Sequence, residues 1–347
     1  MSFWSGKRVL VTGHTGFKGS WLTLWLTRMG ARVAGLALAP DTTPALFEQL
    51  ALADRIDHAL GDIRNLDTVR ARVAQIRPDV VLHLAAQPLV LASYEDPLET
   101  WSTNVMGSAH LLEALRALDH SCAVVMVTTD KVYLNVDAGQ PFAETDPLGG
   151  HDPYSASKAA MEIAVDSWRK SFFGDHPVRI ASARAGNVIG GGDWAANRLV
   201  PDLMRGLATG QEVAIRNPDA TRPWQHVLEP LAGYLRLAER LWSGGAAHAR
   251  AYNFGPDAAA TRTVRDLADT VLTHWPGSWR DTSGPGQRHE AALLSLDIGA
   301  ARADLGITPR WDFDQTVEMT VEWYRAAHEG ADPVALCLAQ IEAFGAP

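Results

Sequence analysis

The chain has 347 residues, 47% hydrophobic and 20% charged, which suggests two packed units, or one large α/β domain with an appendage, around a real core. Its 31 Lys+Arg against 40 Asp+Glu give a net charge of −9, the wrong sign for sequence-independent binding of nucleic acid or anionic lipid, so any polyphosphate must be held by local groups. Cys122 and Cys337 lack CxxC spacing and are too few for a disulfide framework or zinc site; with no 18-residue apolar run and no basic n-region, we expect a cytoplasmic chain with neither membrane span nor secretion signal and no metal.

Arg8–Thr12 (RVLVT) reads as a first strand, Phe17–Met29 as a helix and Arg32–Leu36 as a second strand. Between the first two, Gly13, Gly16 and Gly19 fall where glycines permit a tight turn, close approach of N–H groups to a pyrophosphate, and helix-on-sheet packing. The alternative is a βα turn that simply needs small residues. Gly35–Pro40 (GLALAP) carries neither the acidic residue that would hold the ribose hydroxyls of NAD nor an arginine for a 2′-phosphate, so NAD is preferred over NADP without being fixed. Asp62, followed by Ile63, is positioned either to accept from an adenine amino group or to cap a helix.

Further along, Asp79–Leu84, Ala123–Thr128 and Val178–Ala183 are nearly continuous apolar runs, as expected of strands covered on both faces. Leu84-Ala85-Ala86 ends one of them, where small residues let a dinucleotide cross the sheet edge. Helices are expected over Leu98–Leu118 and Pro153–Phe173. The alternation implies successive βα units and a Rossmann-type, doubly wound parallel sheet. After Asn187 the rhythm gives way to GGGDW and scattered prolines and tryptophans. We read a dinucleotide-binding domain over 1–187, with a return segment near 222–245, and a smaller C-terminal substrate-binding cap over 188–347. The 12 tryptophans are read as packing, with Trp194 the one to inspect as a base platform, and His14 is given no chemistry.

Tyr154 and Lys158 are four apart, on one helix face, and an ammonium beside a phenol favours the phenolate, a base for a sugar hydroxyl. Thr128-Thr129-Asp130-Lys131 follows another strand at the carboxyl edge, where open α/β sheets place ligands. Taken alone, Asp130 reads by default as a helix cap and Lys131 as a surface charge.

TGHTGFKGSW, LAAQPLV, TTDKVY, DPYSASK, RAGNVIGGGDWA and RPWQHVLEPL together resemble the CDP-glucose 4,6-dehydratase family of extended short-chain dehydrogenases/reductases, over nearly the whole chain. Threonine before aspartate separates such dehydratases from 4-epimerases, and lysine after it resembles the CDP-glucose branch. The resemblance implies a lyase that uses NAD to oxidise C4 of CDP-glucose, eliminates water across C5 and C6, and returns the hydride to C6, giving a 4-keto-6-deoxy sugar. Tyr154, assisted by Thr129 and Lys158, would take the C4 proton. Asp130, if protonated, would donate to the C6 hydroxyl and Lys131 handle the C5 proton, their division of labour being open.

The same resemblance gives a cofactor set of Gly13, Thr15, Gly16, Phe17, Gly19, Asp62, Ile63, Leu84, Ala85, Ala86, Asn104 and Thr128 with Tyr154 and Lys158. It gives a substrate set of Gln87, Asn187, Arg198, Leu199, Arg216, Arg222 and His289, with guanidinium forks suited to the diphosphate. It also implies a homodimer through a four-helix contact between the two long helices and their copies. Leu134 departs from the glutamate frequent after TTDKVY, which puts loop details in doubt but no catalytic position. The competing readings are a dehydratase or 4-epimerase for another nucleotide-sugar and a catalytically idle dinucleotide-binding regulator.

Overall fold

In the computed structural model, which describes residues 2–136, 139–257, 261–284 and 293–347, the apolar runs become strands β1 (Arg8–Thr12), β2 (Arg32–Ala37), β3 (Asp57–Leu60), β4 (Val80–His83), β5 (Cys122–Val127), β6 (Val178–Ala185) and β7 (Ala251–Phe254). They hydrogen-bond in the order β7-β6-β5-β4-β1-β2-β3, every pair parallel. The order reverses between β1 and β4, which opens a crevice at the carboxyl ends of those strands. The fold is the expected α/β one.

Side-chain alternation along the strands feeds two cores. On β5, Ala123, Val125 and Val127 join one apolar cluster while Val124 and Met126 join the other; on β1, Val9 and Val11 oppose Leu10 in the same way. Helices α1 (Phe17–Arg28) and α6 (Leu228–Gly244) supply the first cluster, together with α8 (Phe313–His328) and α9 (Pro333–Phe344). The second is completed by α2 (Leu66–Ile76), α3 (Ser108–Leu115) and α4 (Pro153–Phe172). Both faces are therefore covered, which is why β4 and β5 read as unbroken apolar runs.

The structure departs from the predicted elements in three places. The helix expected over Leu98–Leu118 is a short helix Pro97–Trp101, a π-helical stretch Ser102–Gly107, and α3, which stops at Leu115. β3 has a half-exposed edge-strand pattern, so no apolar run announces it. β7 joins the sheet from chain beyond the predicted return segment. In the C-terminal half, α5 (Leu199–Thr209), α7 (Val264–His274) and three small two-stranded pairings form a layer over the carboxyl edge. No described helix is long and apolar enough to cross a membrane, and Cys122 and Cys337 are both free and buried.

Candidate active site

β1 ends at Thr12 and α1 starts at Phe17, so four residues turn the chain. Gly13 has φ +73°, and a Cβ there would lie 2.7 Å from the Ala85 nitrogen; one on Gly19 would lie 2.1 Å from the Gly13 carbonyl oxygen. The protein's own backbone dictates both glycines. Gly16 differs, because an added Cβ would meet only that same oxygen at 3.5 Å, an ordinary contact. Gly16 is the N-cap of α1 and offers the first turn no side-chain acceptor. Uncapped N–H groups beside open cavity space fit a diphosphate, as a dinucleotide would bring.

One cavity of about 1110 Å³ runs from this turn past the ends of β4, β5 and β6, larger than a pocket for one small ligand and sufficient for two. All the predicted catalytic, cofactor and substrate residues that the structure describes line it, with two exceptions, Gln87 and Asn104. His289 lies outside the described residues.

The two exceptions have a common cause. The Asn104 amide accepts from the Gln87 backbone N–H at 2.8 Å and donates to the Gln87 carbonyl at 3.1 Å and the Ser157 hydroxyl at 2.9 Å. Gln87 donates to Thr100 and the Leu89 carbonyl and accepts from the Leu89 N–H. These amides pin the loop after β4 to the π-helical stretch and α4; they shape the cavity wall from behind. Asp62 is not a helix cap, since Asn65 caps α2. Asp62 accepts from the Arg64 backbone and guanidinium at 2.8 Å each, which holds its carboxyl below the usual range.

β5 delivers Thr128 and Thr129 to the carboxyl edge, and a single 3₁₀ turn follows, Asp130–Val132. Asp130 is fully buried: one oxygen accepts from Thr129 at 3.0 Å and from the Lys131 ammonium at 3.2 Å, and the other has no partner among the described residues. Lys131 also reaches the Asn187 side chain at 3.5 Å. Asp130 and Lys131 therefore form an ion pair at the carboxyl edge of the sheet.

Asp152 caps α4 and aims its first turn at this cluster. Burial pushes the Tyr154 phenol up to about 12, against a lowering pull from the Thr129 hydroxyl. The cation that pulls the phenol down is Arg198 rather than the Lys158 expected from the sequence, and the Lys158 ammonium donates to the Val127 carbonyl at 3.2 Å. Its own value is pulled down to about 8 by burial, with Glu162 opposing. Arg198 bonds Asp193 at 2.9 Å, and Arg222 is buried with one guanidinium nitrogen on the Thr221 carbonyl at 2.8 Å. Trp194 faces the cavity but is fixed edge-on to Tyr324 and donates to Gln49.

Sequence reasoning missed three charged residues. Glu162, one turn beyond Lys158, is buried and accepts from Thr128, Ser182 and Arg184 at 2.5, 2.7 and 3.0 Å. Asp41, directly after Gly35–Pro40, lines the cavity and acts electrostatically on Arg198. Lys18 lines the cavity from α1; the signal was a charge inside an otherwise apolar helix start.

Residues 10–320 match the family model described as GDP-mannose 4,6 dehydratase. The chain is 48% identical over 338 residues to the CDP-glucose 4,6-dehydratase of Salmonella typhimurium, covering 95% of this chain and 94% of that protein. It is 29% identical over 330 residues to the dTDP-glucose 4,6-dehydratase of Streptomyces antibioticus, covering 91% and 92%. A solved dTDP-glucose 4,6-dehydratase from Streptomyces venezuelae with NAD bound is similar in structure at 26% identity and a TM-score of 0.80, over 94% of this chain and 99% of that one.

Proposed function

The chain belongs to the GDP-mannose 4,6-dehydratase family, and we propose that it dehydrates CDP-D-glucose to CDP-4-keto-6-deoxy-D-glucose with NAD as its cofactor. The observation that carries this reading is the convergence of the glycine turn, the Thr129-Asp130-Lys131 turn and the Tyr154/Lys158 face on one cavity with room for two ligands. A dinucleotide held at the Gly13–Gly19 turn would supply the hydride acceptor for C4 of the hexose and the hydride donor for C6.

Tyr154 accepts the C4 hydroxyl proton while Thr129 hydrogen-bonds the same oxygen. A phenol near 12 is protonated at neutral pH, so its activation requires a cation to approach, and Lys158 is the one on its own helix face. The Asp130–Lys131 pair, already joined at 3.2 Å, handles the proton lost from C5 and the proton donated to the departing C6 hydroxyl. Arg198 and Arg222 hold the diphosphate of the nucleotide-sugar, and the C-terminal layer keeps water from the enone stage.

The assembly we propose is a homodimer in the cytoplasm. Leu98, Trp101 and Met106 on the segment Pro97–Leu115, and Ile163 and Phe172 on α4, are exposed large apolar groups, which supports burial of these helices against a second copy. Incubation with CDP-, dTDP-, UDP- and GDP-glucose, with products identified by NMR, tests the activity. A 4-keto-6-deoxy product from CDP-glucose is expected. A 4-epimer, or no turnover of any of the four, refutes the reading.

A further inference from the structure

Lys18 is the second residue of α1, on a helix whose next eight residues, Gly19–Leu26, are all buried. An apolar residue would suit that setting. Lys18 instead turns into the cavity and has no hydrogen-bond or ion-pair partner among the described residues. The charged groups that face it are Arg198 ahead of α5, Asp130 and Lys131 after β5, and Lys158 on α4. Three of the four are cations. The one anion, Asp130, is engaged by Lys131 at 3.2 Å, and Arg198 is engaged by Asp193 at 2.9 Å.

We propose that Lys18 is a phosphate-binding residue, whose ammonium closes on a diphosphate oxygen between the glycine turn and the catalytic cluster. A partly desolvated cation among cations costs stability unless an anion arrives to pair with it. Asp130 is the one carboxylate that acts on Lys18, and no ion pair joins them among the described residues, so a ligand anion is the partner. The uncapped N-terminus of α1 beside Lys18 favours the same charge. Free of ligand, the ammonium is pulled down to about 7, first by burial and then by Arg198, so the bare site loses its charge through neutral pH and a bound phosphate restores it. This inference rests on the reading that the cavity takes a dinucleotide and a nucleotide-sugar, either of which can bring the diphosphate.

Calorimetric titration of the full chain with NAD, and separately with CDP, tests it in wild type, Lys18→Met and Lys18→Arg at pH 6 and pH 9. Lys18→Met is expected to bind at least one of the two about tenfold more weakly at pH 6, and the ligand affected identifies which diphosphate Lys18 holds. Wild type is expected to lose more of that affinity between pH 6 and pH 9 than Lys18→Arg does. Lys158 also titrates in this range, but it is common to both proteins, and a guanidinium stays charged throughout. Unchanged affinity of Lys18→Met for both ligands at pH 6 overturns the proposal. If Lys18→Met does not fold, equal pH dependence in wild type and Lys18→Arg overturns it. Because the readout is binding, the proposal can fail while CDP-glucose is still dehydrated, and it can hold when CDP-glucose is not.

Discussion

One methyl group placed at Gly16, and another at Gly19, should separate ligand binding from folding. At Gly19 the new carbon would lie 2.1 Å from the Gly13 carbonyl oxygen and 2.7 Å from the His14 Cα. Both are backbone atoms that cannot rotate away, so the turn itself must move. Overpacking of that kind costs roughly 1–3 kcal/mol, read as a fall in unfolding free energy. At Gly16 the contact is 3.5 Å and φ is −80°, which alanine adopts freely, and the cost of alanine at an N-cap is below about 1 kcal/mol. That methyl would instead stand in front of the uncapped N–H groups of α1. Keeping a diphosphate from one charge-assisted hydrogen bond, at about 1.5–3 kcal/mol, weakens NAD binding roughly ten- to 150-fold. Urea denaturation gives the first quantity and calorimetric titration with NAD the second. Gly16→Ala binding NAD as tightly as wild type would refute the placement of the diphosphate against this turn.

Replacing Asp130 by Asn should abolish elimination while sparing C4 oxidation, and single-turnover measurements that find both half-reactions equally slowed would count against its proton-transfer role. Because the Lys158 ammonium titrates near 8, a rate that depends on its charge is full below that pH and falls as pH rises through it. Glu162 raises that value, so Glu162→Gln should move the alkaline limb of kcat/KM to lower pH; an unmoved limb argues that Lys158 is not the group titrating. Arg184→Leu removes one partner of an ion pair buried on both sides, with Glu162 at 3.0 Å, and should destabilise the fold by about 3–5 kcal/mol in urea denaturation. The double substitution Leu98→Glu and Ile163→Glu should yield monomers by sedimentation velocity with the fold intact, whereas an unchanged dimer would place the interface elsewhere.

The amino-acid sequence by itself determined the central sheet and the order of its chemistry. Buried parallel strands such as Asp79–Leu84 must be apolar on both faces, and the tight turn from β1 into α1 takes φ +73° at Gly13. Such constraints are local, so they are written in consecutive residues. The edge strand β3 escaped because half of it faces solvent, and β7 because four residues (AYNF) carry no period of their own. The π-helical stretch Ser102–Gly107 was invisible for a different reason: one widened turn leaves composition unchanged and merely rotates Asn104 away from the cavity toward Ser157.

Only the tertiary structure decided which polar groups face one another. Sequence motifs placed Lys158 beside Tyr154 on one helix face, but the carbonyl that receives the ammonium belongs to Val127 on β5, and the carboxylate that supports its charge is fixed by Arg184 on β6. Lys18 and Asp41 enter the cavity because α1 and the loop after β2 converge with residues more than 100 positions away. Burial then fixes their charge states, and burial is a property of the assembled layers, which no window of consecutive residues contains.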